Sequence, residues 1–247
     1  MSATITVNGT APDRPSLWGR VTYSVRALDD RNMRLLMLAQ LTSIGGYWCF
    51  YVAQSWLALD LTNSPGLVGL IAPATLAPYL VFSIPAGVLA DRVDLRKLML
   101  SARLLVASSF ALEAALAATG LIQPWQMFAI AFVTGIGVCL DNPVQYRLMA
   151  DFAGPERVSS AAALASMVFQ LSAIVGPLLG GVLLGSFGPA VGMAAGAVGN
   201  VMLLGCYLAM RLPKHTSGSA TSLREAFGGA GFIFTNAKAG IATSTTP

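Results

Sequence analysis

Long apolar segments alternate with short polar breaks along most of this chain. A helix needs about 20 mainly apolar residues to cross the hydrocarbon core of a bilayer. Irregular backbone cannot face lipid there, because its polar groups would have no partners. The pattern therefore predicts an all-α membrane protein with six transmembrane helices. The predicted spans lie near positions 35–59, 65–90, 97–119, 124–149, 158–185 and 189–211.

The most highly charged break between these segments is Gly87 to Leu100, with the sequence GVLADRVDLRKLML. It contains three basic and two acidic residues within a few positions. Such a cluster is costly to place in hydrocarbon. We therefore predict an aqueous loop between the second and third helices.

The distribution of Lys and Arg among the breaks predicts the orientation of the chain. The breaks at 60–65, 119–124 and 185–189 contain neither residue, whereas the alternate connections and both terminal segments contain nearly all of them. Cytoplasmic loops carry this excess of positive charge, so both termini are expected in the cytoplasm. The predicted regions are a cytoplasmic N-terminal segment (1–33), a transmembrane domain (34–211) and a cytoplasmic linker with a short amphipathic helix (212–247).

Composition supports membrane insertion and argues against several other classes. Hydrophobic residues make up 55% of the chain and charged residues only 11%, against about 25% charged in an ordinary soluble domain. The net charge of +4 is spread over short loops, so no nucleic-acid partner is expected. The three cysteines lack the spacing of metal ligands, and we expect neither a metal nor a cofactor.

The sequence lacks three motifs that are typical of enzymes. It has no H-E-x-x-H zinc pair, no G-x-S-x-G nucleophile turn and no G-x-x-x-x-G-K-[ST] phosphate loop. We therefore expect the protein not to be an enzyme. Transport driven by an ion gradient or by a partner is the remaining class.

Polar residues recur at helical spacing on the first and fourth predicted helices. A polar stripe on a spanning helix faces protein or a water-filled cavity, because lipid would leave its groups unpaired. Substrate binding is one interpretation, and hydrogen bonding between packed helices is the alternative. The stripes consist of Gln40, Ser43, Tyr47 and Gln54 on the first helix and of Thr134, Val138, Asp141 and Gln145 on the fourth.

Two carboxylates, Glu113 and Asp141, fall within predicted spans. An ionised carboxylate near the bilayer centre costs about 2.5 to 3.5 kcal/mol on insertion scales, so each is expected to be paired, hydrated or protonated. Both are candidates for ion coupling. For Asp141 the alternative is a structural ion pair with Arg147 or another base. Arg103, which is close to the predicted inner surface, is expected to extend its charge into the interface.

The fifth predicted helix contains Gly176-Pro177-Leu178-Leu179-Gly180-Gly181. Glycines at this spacing let two helix backbones approach closely, and a proline inside a helix introduces a kink. The segment is therefore a candidate site of bending, and tight helix packing alone is the alternative.

In this order, the features resemble the N-terminal half of a major facilitator superfamily transporter. Residues 87–100 are similar to the family's motif between helices two and three, and the fifth-helix segment is similar to the antiporter motif of exporters. With 59–64 and 141–143, they most resemble the branch of enterobactin exporters and macrolide efflux proteins. The matching positions are Gly87, Asp91, Arg92, Arg96 and Lys97 in the first motif and Gly176, Pro177, Gly180 and Gly181 in the second.

The resemblance implies a fold of two six-helix halves, each made of two inverted three-helix repeats, with substrate bound between the halves. One half is present, so this chain is expected to contain six helices as two such repeats. The implied cytoplasmic gate uses Asp91, Arg92 and Arg96. The implied substrate cavity is formed by Gln40, Ser43, Tyr47, Gln54, Asp141 and Gln145.

The leading hypothesis is efflux of a small, fairly hydrophobic compound, such as a drug or siderophore, through a bacterial inner membrane by alternating access. The implied partners are the lipid bilayer, a small-molecule substrate, and a second half or a second copy of the chain. The alternative is a truncated, non-transporting membrane fragment, or a half-transporter that needs a partner chain.

Overall fold

The computed structural model describes residues 30–154 and 157–210. Each helix in these ranges is long and apolar enough to cross a membrane, which confirms the prediction of an all-α, multi-pass membrane protein. The predicted N-terminal segment and the predicted linker with its amphipathic helix lie almost entirely outside the described residues. The helices are α1 (Arg31–Thr62), α2 (Pro65–Arg92), α3 (Leu95–Thr119), α4 (Pro124–Ala153), α5 (Val158–Phe187) and α6 (Pro189–Ala209).

The charged stretch 87–100 is mostly helical, so the loop between the second and third helices is shorter than the sequence pattern predicts. Only Val93 and Asp94 separate α2 from α3. The Asp94 carboxylate accepts hydrogen bonds from the backbone N–H groups of Arg96, at 2.9 Å, and Lys97, at 3.4 Å. Such a cap satisfies donors that a new helix leaves unpaired, so α3 can begin directly after α2.

The helices form an inner and an outer set. The inner helices, α1, α3, α4 and α6, pack against one another, while the outer helices each have one main neighbour: α2 packs on α4, and α5 packs on α1. The set of major packing pairs is unchanged when α1, α2 and α3 are exchanged with α4, α5 and α6. This symmetry is the one expected of two three-helix repeats.

Glycines set the distance between several helix pairs. A Cβ atom added at Gly196 of α6 would lie 2.6 Å from the Cβ atom of Phe50 on α1, and one added at Gly192 would lie 2.8 Å from that of Ala53. Phe50 in turn stacks on Phe110 of α3, with ring centroids 3.9 Å apart. The absence of side chains at Gly192 and Gly196 of α6 therefore brings three inner helices into direct contact.

Candidate functional site

A cavity of about 790 Å³ lies among the six helices, and each of them contributes to its wall. The outer helices bound it with Leu76 and Tyr79 from α2 and with Phe169 and Gln170 from α5. Most of the wall is apolar or aromatic, and the polar groups are mainly amides and hydroxyls. This combination is typical of small-molecule sites, in which apolar surface gives affinity and a few polar groups fix orientation.

The structure brings four of the predicted substrate residues to this cavity. They are Gln40, Ser43, Tyr47 and Gln145. Asp141 is fully buried and lies outside the described wall, as does the buried Gln54. The helical periodicity of the first stripe therefore identified a shared face of α1, but only its first part borders the cavity.

Asp141 forms a buried ion pair with Arg103 of α3. Arg103 is only 6% exposed, so the expectation that it extends into the interface was wrong. The reason is the close approach of α3 and α4 at Gly137, where an added Cβ atom would lie 3.0 Å from the carbonyl oxygen of Ala102. Gly137 and Asp141 share a face of α4, so the guanidinium meets the carboxylate inside the protein.

Hydrogen bonds extend this ion pair across all four inner helices. Arg103 Nη1 donates to Ser43 Oγ on α1 at 3.3 Å, and Ser43 donates to Asn200 Oδ1 on α6 at 3.3 Å. Asn200 Nδ2 donates to the carbonyl oxygen of Gly196 at 3.0 Å. Together with Asp141 on α4, these contacts therefore link α4, α3, α1 and α6.

Gln145 connects the same ion pair to the cavity. Its amide nitrogen donates to the carboxylate of Asp141, while its amide oxygen accepts a 3.4 Å hydrogen bond from Gln40 Nε2. Both glutamines line the cavity. The polar network is defined here as Gln40, Ser43, Arg103, Asp141, Gln145 and Asn200.

The second predicted coupling residue, Glu113, lies in a separate buried position between α3 and α1. Its Oε1 atom accepts a 2.8 Å hydrogen bond from Gln54 Nε2. Its Oε2 atom has no hydrogen-bond partner among the described residues. Glu113 is fully buried and is absent from the described cavity wall, so the structure separates the two predicted carboxylates into different sites.

The antiporter-type segment joins α5 to α1 along one edge. A Cβ atom at Gly176 would lie 2.8 Å from the carbonyl oxygen of Gly45, and one at Gly180 would lie 2.8 Å from the Cα atom of Cys49. The thiol of Cys49 also donates to the carbonyl oxygen of Gly176 at 3.0 Å. A Cβ atom at Gly181 would have no neighbour within 4 Å, so Gly181, unlike Gly176 and Gly180, does not contribute to the close contact with α1.

The gate-type segment lies at the junction of α2 and α3. Arg96 and Lys97 are exposed in the first turn of α3, and Gly87 is half-buried near the end of α2. The side chains of Asp91 and Arg92 lie outside the described residues. The contacts implied for this gate therefore stay a prediction.

Sequence patterns missed Arg103 and Asn200 as members of the site. Each is a polar side chain in an otherwise apolar segment, and that signal was available for both. Their helical neighbours on α3 and α6 are apolar or small, however, so neither belongs to a polar stripe. Only the packing of the inner helices places them beside Ser43 of α1.

Comparison with known proteins agrees with this architecture. Residues 23–243 match the major facilitator family described as transmembrane secretion effector. The staphyloferrin A transporter of Staphylococcus aureus is 24% identical over 147 residues, which are 56% of this chain and 35% of that protein. The macrolide efflux protein A of Streptococcus pyogenes is 24% identical over 166 residues, covering 66% of this chain and 41% of the relative.

A third relative is the multidrug efflux pump Tap of Mycolicibacterium fortuitum, which is 28% identical over 159 residues. That match covers 62% of this chain and 39% of the pump. The chain thus spans well under half the length of these curated relatives. Since the family match includes most of the chain and the helices form the expected half of the fold, the chain belongs to the transmembrane secretion effector family of the major facilitator superfamily.

Proposed function

We propose that this chain forms the N-terminal half of an exporter that moves a small, fairly hydrophobic compound out of a bacterial cytoplasm. The observation that carries the proposal is the cavity of about 790 Å³ with its mixture of apolar side chains and amides. The relatives include a macrolide efflux protein and a multidrug efflux pump. In this proposal the chain acts as a transporter rather than an enzyme.

Transport proceeds in this proposal by alternating access, with both termini on the cytoplasmic side of the inner membrane. The outer helices change their tilt along the narrow joints that attach them to the inner helices. The joint of α5 is the Gly176 and Gly180 edge against α1. The corresponding joint of α2 is at Gly135 of α4, where an added Cβ atom would lie 2.9 Å from Pro78.

Asp141 and Glu113 are the proposed coupling groups. Asp141 is connected to the cavity through Gln145, so a change in its state would alter a cavity-lining amide. Glu113 has one carboxylate oxygen without a hydrogen-bond partner in the described part of the chain. In the proposed gate, Asp91, Arg92 and Arg96 close the cytoplasmic side.

The proposed partner is a second half or a second copy of the chain, covering the outer helices. Leu80 of α2 is 90% exposed, and Leu178 of α5 is 70% exposed. Cysteine cross-linking in native membranes tests the second-copy arrangement. In a background in which Cys206 is replaced by Ala, Leu80→Cys should cross-link between copies, whereas Leu104→Cys on the exposed face of α3 should not.

Efflux is tested in bacterial cells that lack their own drug exporters. Cells expressing the chain should accumulate less radiolabelled chloramphenicol, an uncharged antibiotic, than cells with an empty vector. Gln40→Leu should abolish the difference because it removes a cavity amide. Ser108→Ala, an exposed change on α3, is the matched control and should retain efflux. Vector-level accumulation in cells whose membranes contain cross-linked protein would contradict the proposal.

A further inference from the structure

We infer that the ion pair of Arg103 and Asp141 sets the charge selectivity of the cavity, so that the cavity binds uncharged amphipathic compounds in preference to ions of either sign. The inference rests on the proposed function, because it takes this cavity to be the substrate site.

The first observation is the composition of the cavity wall. Arg103 is the one lining residue with a charged side chain among those that the structure describes. Its charge is balanced by Asp141, which lies directly behind it and outside the wall. The ligand therefore meets a wall without net charge, although Arg103 is one of the lining residues.

The second observation is how the guanidinium is held. Arg103 Nη2 donates to the carboxylate of Asp141, and Nη1 donates to Ser43 Oγ. Both terminal nitrogens of Arg103 are therefore engaged inside the protein. A carboxylate or phosphate on a ligand would have to displace these partners to form a bidentate contact with the arginine.

The cavity wall presents uncharged amide groups and aromatic rings to a ligand. Gln40 and Gln145 are joined by a single hydrogen bond of 3.4 Å, which leaves further amide donor and acceptor capacity at the wall. Aromatic rings of Tyr47, Trp48 and Phe169 lie on the same cavity. These groups suit a molecule with extended apolar surface and uncharged hydrogen-bonding groups.

An ion that enters such a cavity loses water and finds no opposite net charge, which is unfavourable. An uncharged compound pays a much smaller desolvation penalty for the same apolar contact. Selectivity then arises as much from rejection of ions as from attraction of the ligand.

The experiment measures dye binding to the chain in nanodiscs of phosphatidylcholine, with empty nanodiscs as the partition control. The probes are a neutral boron-dipyrromethene dye and its sulfonate and trimethylammonium derivatives, which share one fluorophore. The unaltered chain should bind the neutral dye at least about tenfold more tightly than either ion, which corresponds to about 1.4 kcal/mol.

Two variants connect that preference to the ion pair. Asp141→Asn leaves the cavity-facing charge of Arg103 unbalanced, so the affinity for the sulfonate dye relative to the neutral dye should rise about tenfold. The double variant Arg103→Gln with Asp141→Asn removes both charges and should restore the preference for the neutral dye. Circular dichroism and a monodisperse elution profile establish that each variant is folded.

Equal dissociation constants for the three dyes, or no binding above empty nanodiscs, would overturn the inference. An unchanged dye ratio in folded Asp141→Asn would do the same, and so would anion preference in the double variant. Binding at equilibrium requires neither efflux nor a second half. Selective binding without efflux therefore contradicts only the proposed function, and efflux without selectivity contradicts only this inference.

Discussion

The inner and outer helices differ most in what surrounds their side chains. In the most apolar part of each inner helix, between 44% and 56% of residues are buried, whereas the values for α2 and α5 are 11% and 17%. Every member of the polar network belongs to an inner helix. The outer helices present large apolar side chains such as Leu80 and Leu178 to their surroundings.

This difference reverses the usual relation between hydrophobicity and burial. The most apolar helix of the six is α5, yet it is one of the two least buried. In a bilayer the surroundings are as apolar as the interior, so an exposed leucine carries no penalty. Polar side chains, in contrast, must find partners, and they are concentrated where the inner helices meet.

The largest expected effect comes from breaking the ion pair at the centre of the inner helices. Arg103→Gln should lower the free energy of unfolding by about 3–5 kcal/mol, because it leaves the fully buried carboxylate of Asp141 without its cation. Unfolding in mixed detergent micelles with increasing sodium dodecyl sulfate measures the change.

Asp141→Asn serves as the comparison for that variant. It should cost less than Arg103→Gln, since Arg103 lines the cavity, from which water can reach its unpaired charge, whereas Asp141 does not. The double variant should recover most of the stability. Equal losses for the two single variants would contradict the assignment of Arg103 to the cavity wall and Asp141 to the position behind it.

The joint between an outer and an inner helix should give the next largest effect. Gly180→Ala should destabilise the protein by about 1–3 kcal/mol, because its methyl group would meet the backbone of Cys49 on α1. The matched change Gly181→Ala adds a methyl group in open space and should be neutral or stabilising by up to about 1 kcal/mol. Thermal denaturation in detergent compares the two variants. Equal midpoint temperatures would contradict the claim that Gly180 is needed for the close contact between α5 and α1.

A smaller effect is expected from the second buried carboxylate. Gln54→Leu removes the hydrogen bond to Glu113 and should cost about 0.6–1.7 kcal/mol, the range for side-chain hydrogen bonds between membrane helices. Neither residue is part of the described cavity wall, so dye affinity in the nanodisc assay should change less than about twofold, or about 0.4 kcal/mol. A large loss of dye affinity would show that the two sites are coupled.

The smallest effect is expected on the exposed face of an outer helix. Leu80→Ala should change the free energy of unfolding of the separate chain by less than about 0.5 kcal/mol. The same substitution at Leu203 of α6, which is fully buried, should cost about 2–5 kcal/mol. A similar cost at both positions would remove the distinction between inner and outer helices.

Several residues of the cavity wall could be predicted from the sequence, because polar residues recur at helical spacing. Gln40, Ser43 and Tyr47 recur on one face of a helix, so their shared position on the cavity followed from spacing alone. Gln54 continues the same stripe, but it lies further along α1, beyond the described cavity wall, and donates a hydrogen bond to Glu113 instead. Spacing along one helix shows which residues share a face but not how far a cavity extends along it.

The sequence by itself determined the number of membrane-spanning helices among the described residues, 30–154 and 157–210, and the family. These properties depend on local hydrophobicity and on motifs within short segments. The sequence did not determine that Arg103 would meet Asp141, or that Asn200 would meet Ser43. Those contacts join residues on different helices, and the small residues at each helix crossing set the distances. Only the tertiary structure therefore decided that the charge of Arg103 in the cavity wall is balanced by Asp141 behind it, because that balance depends on which helices approach one another.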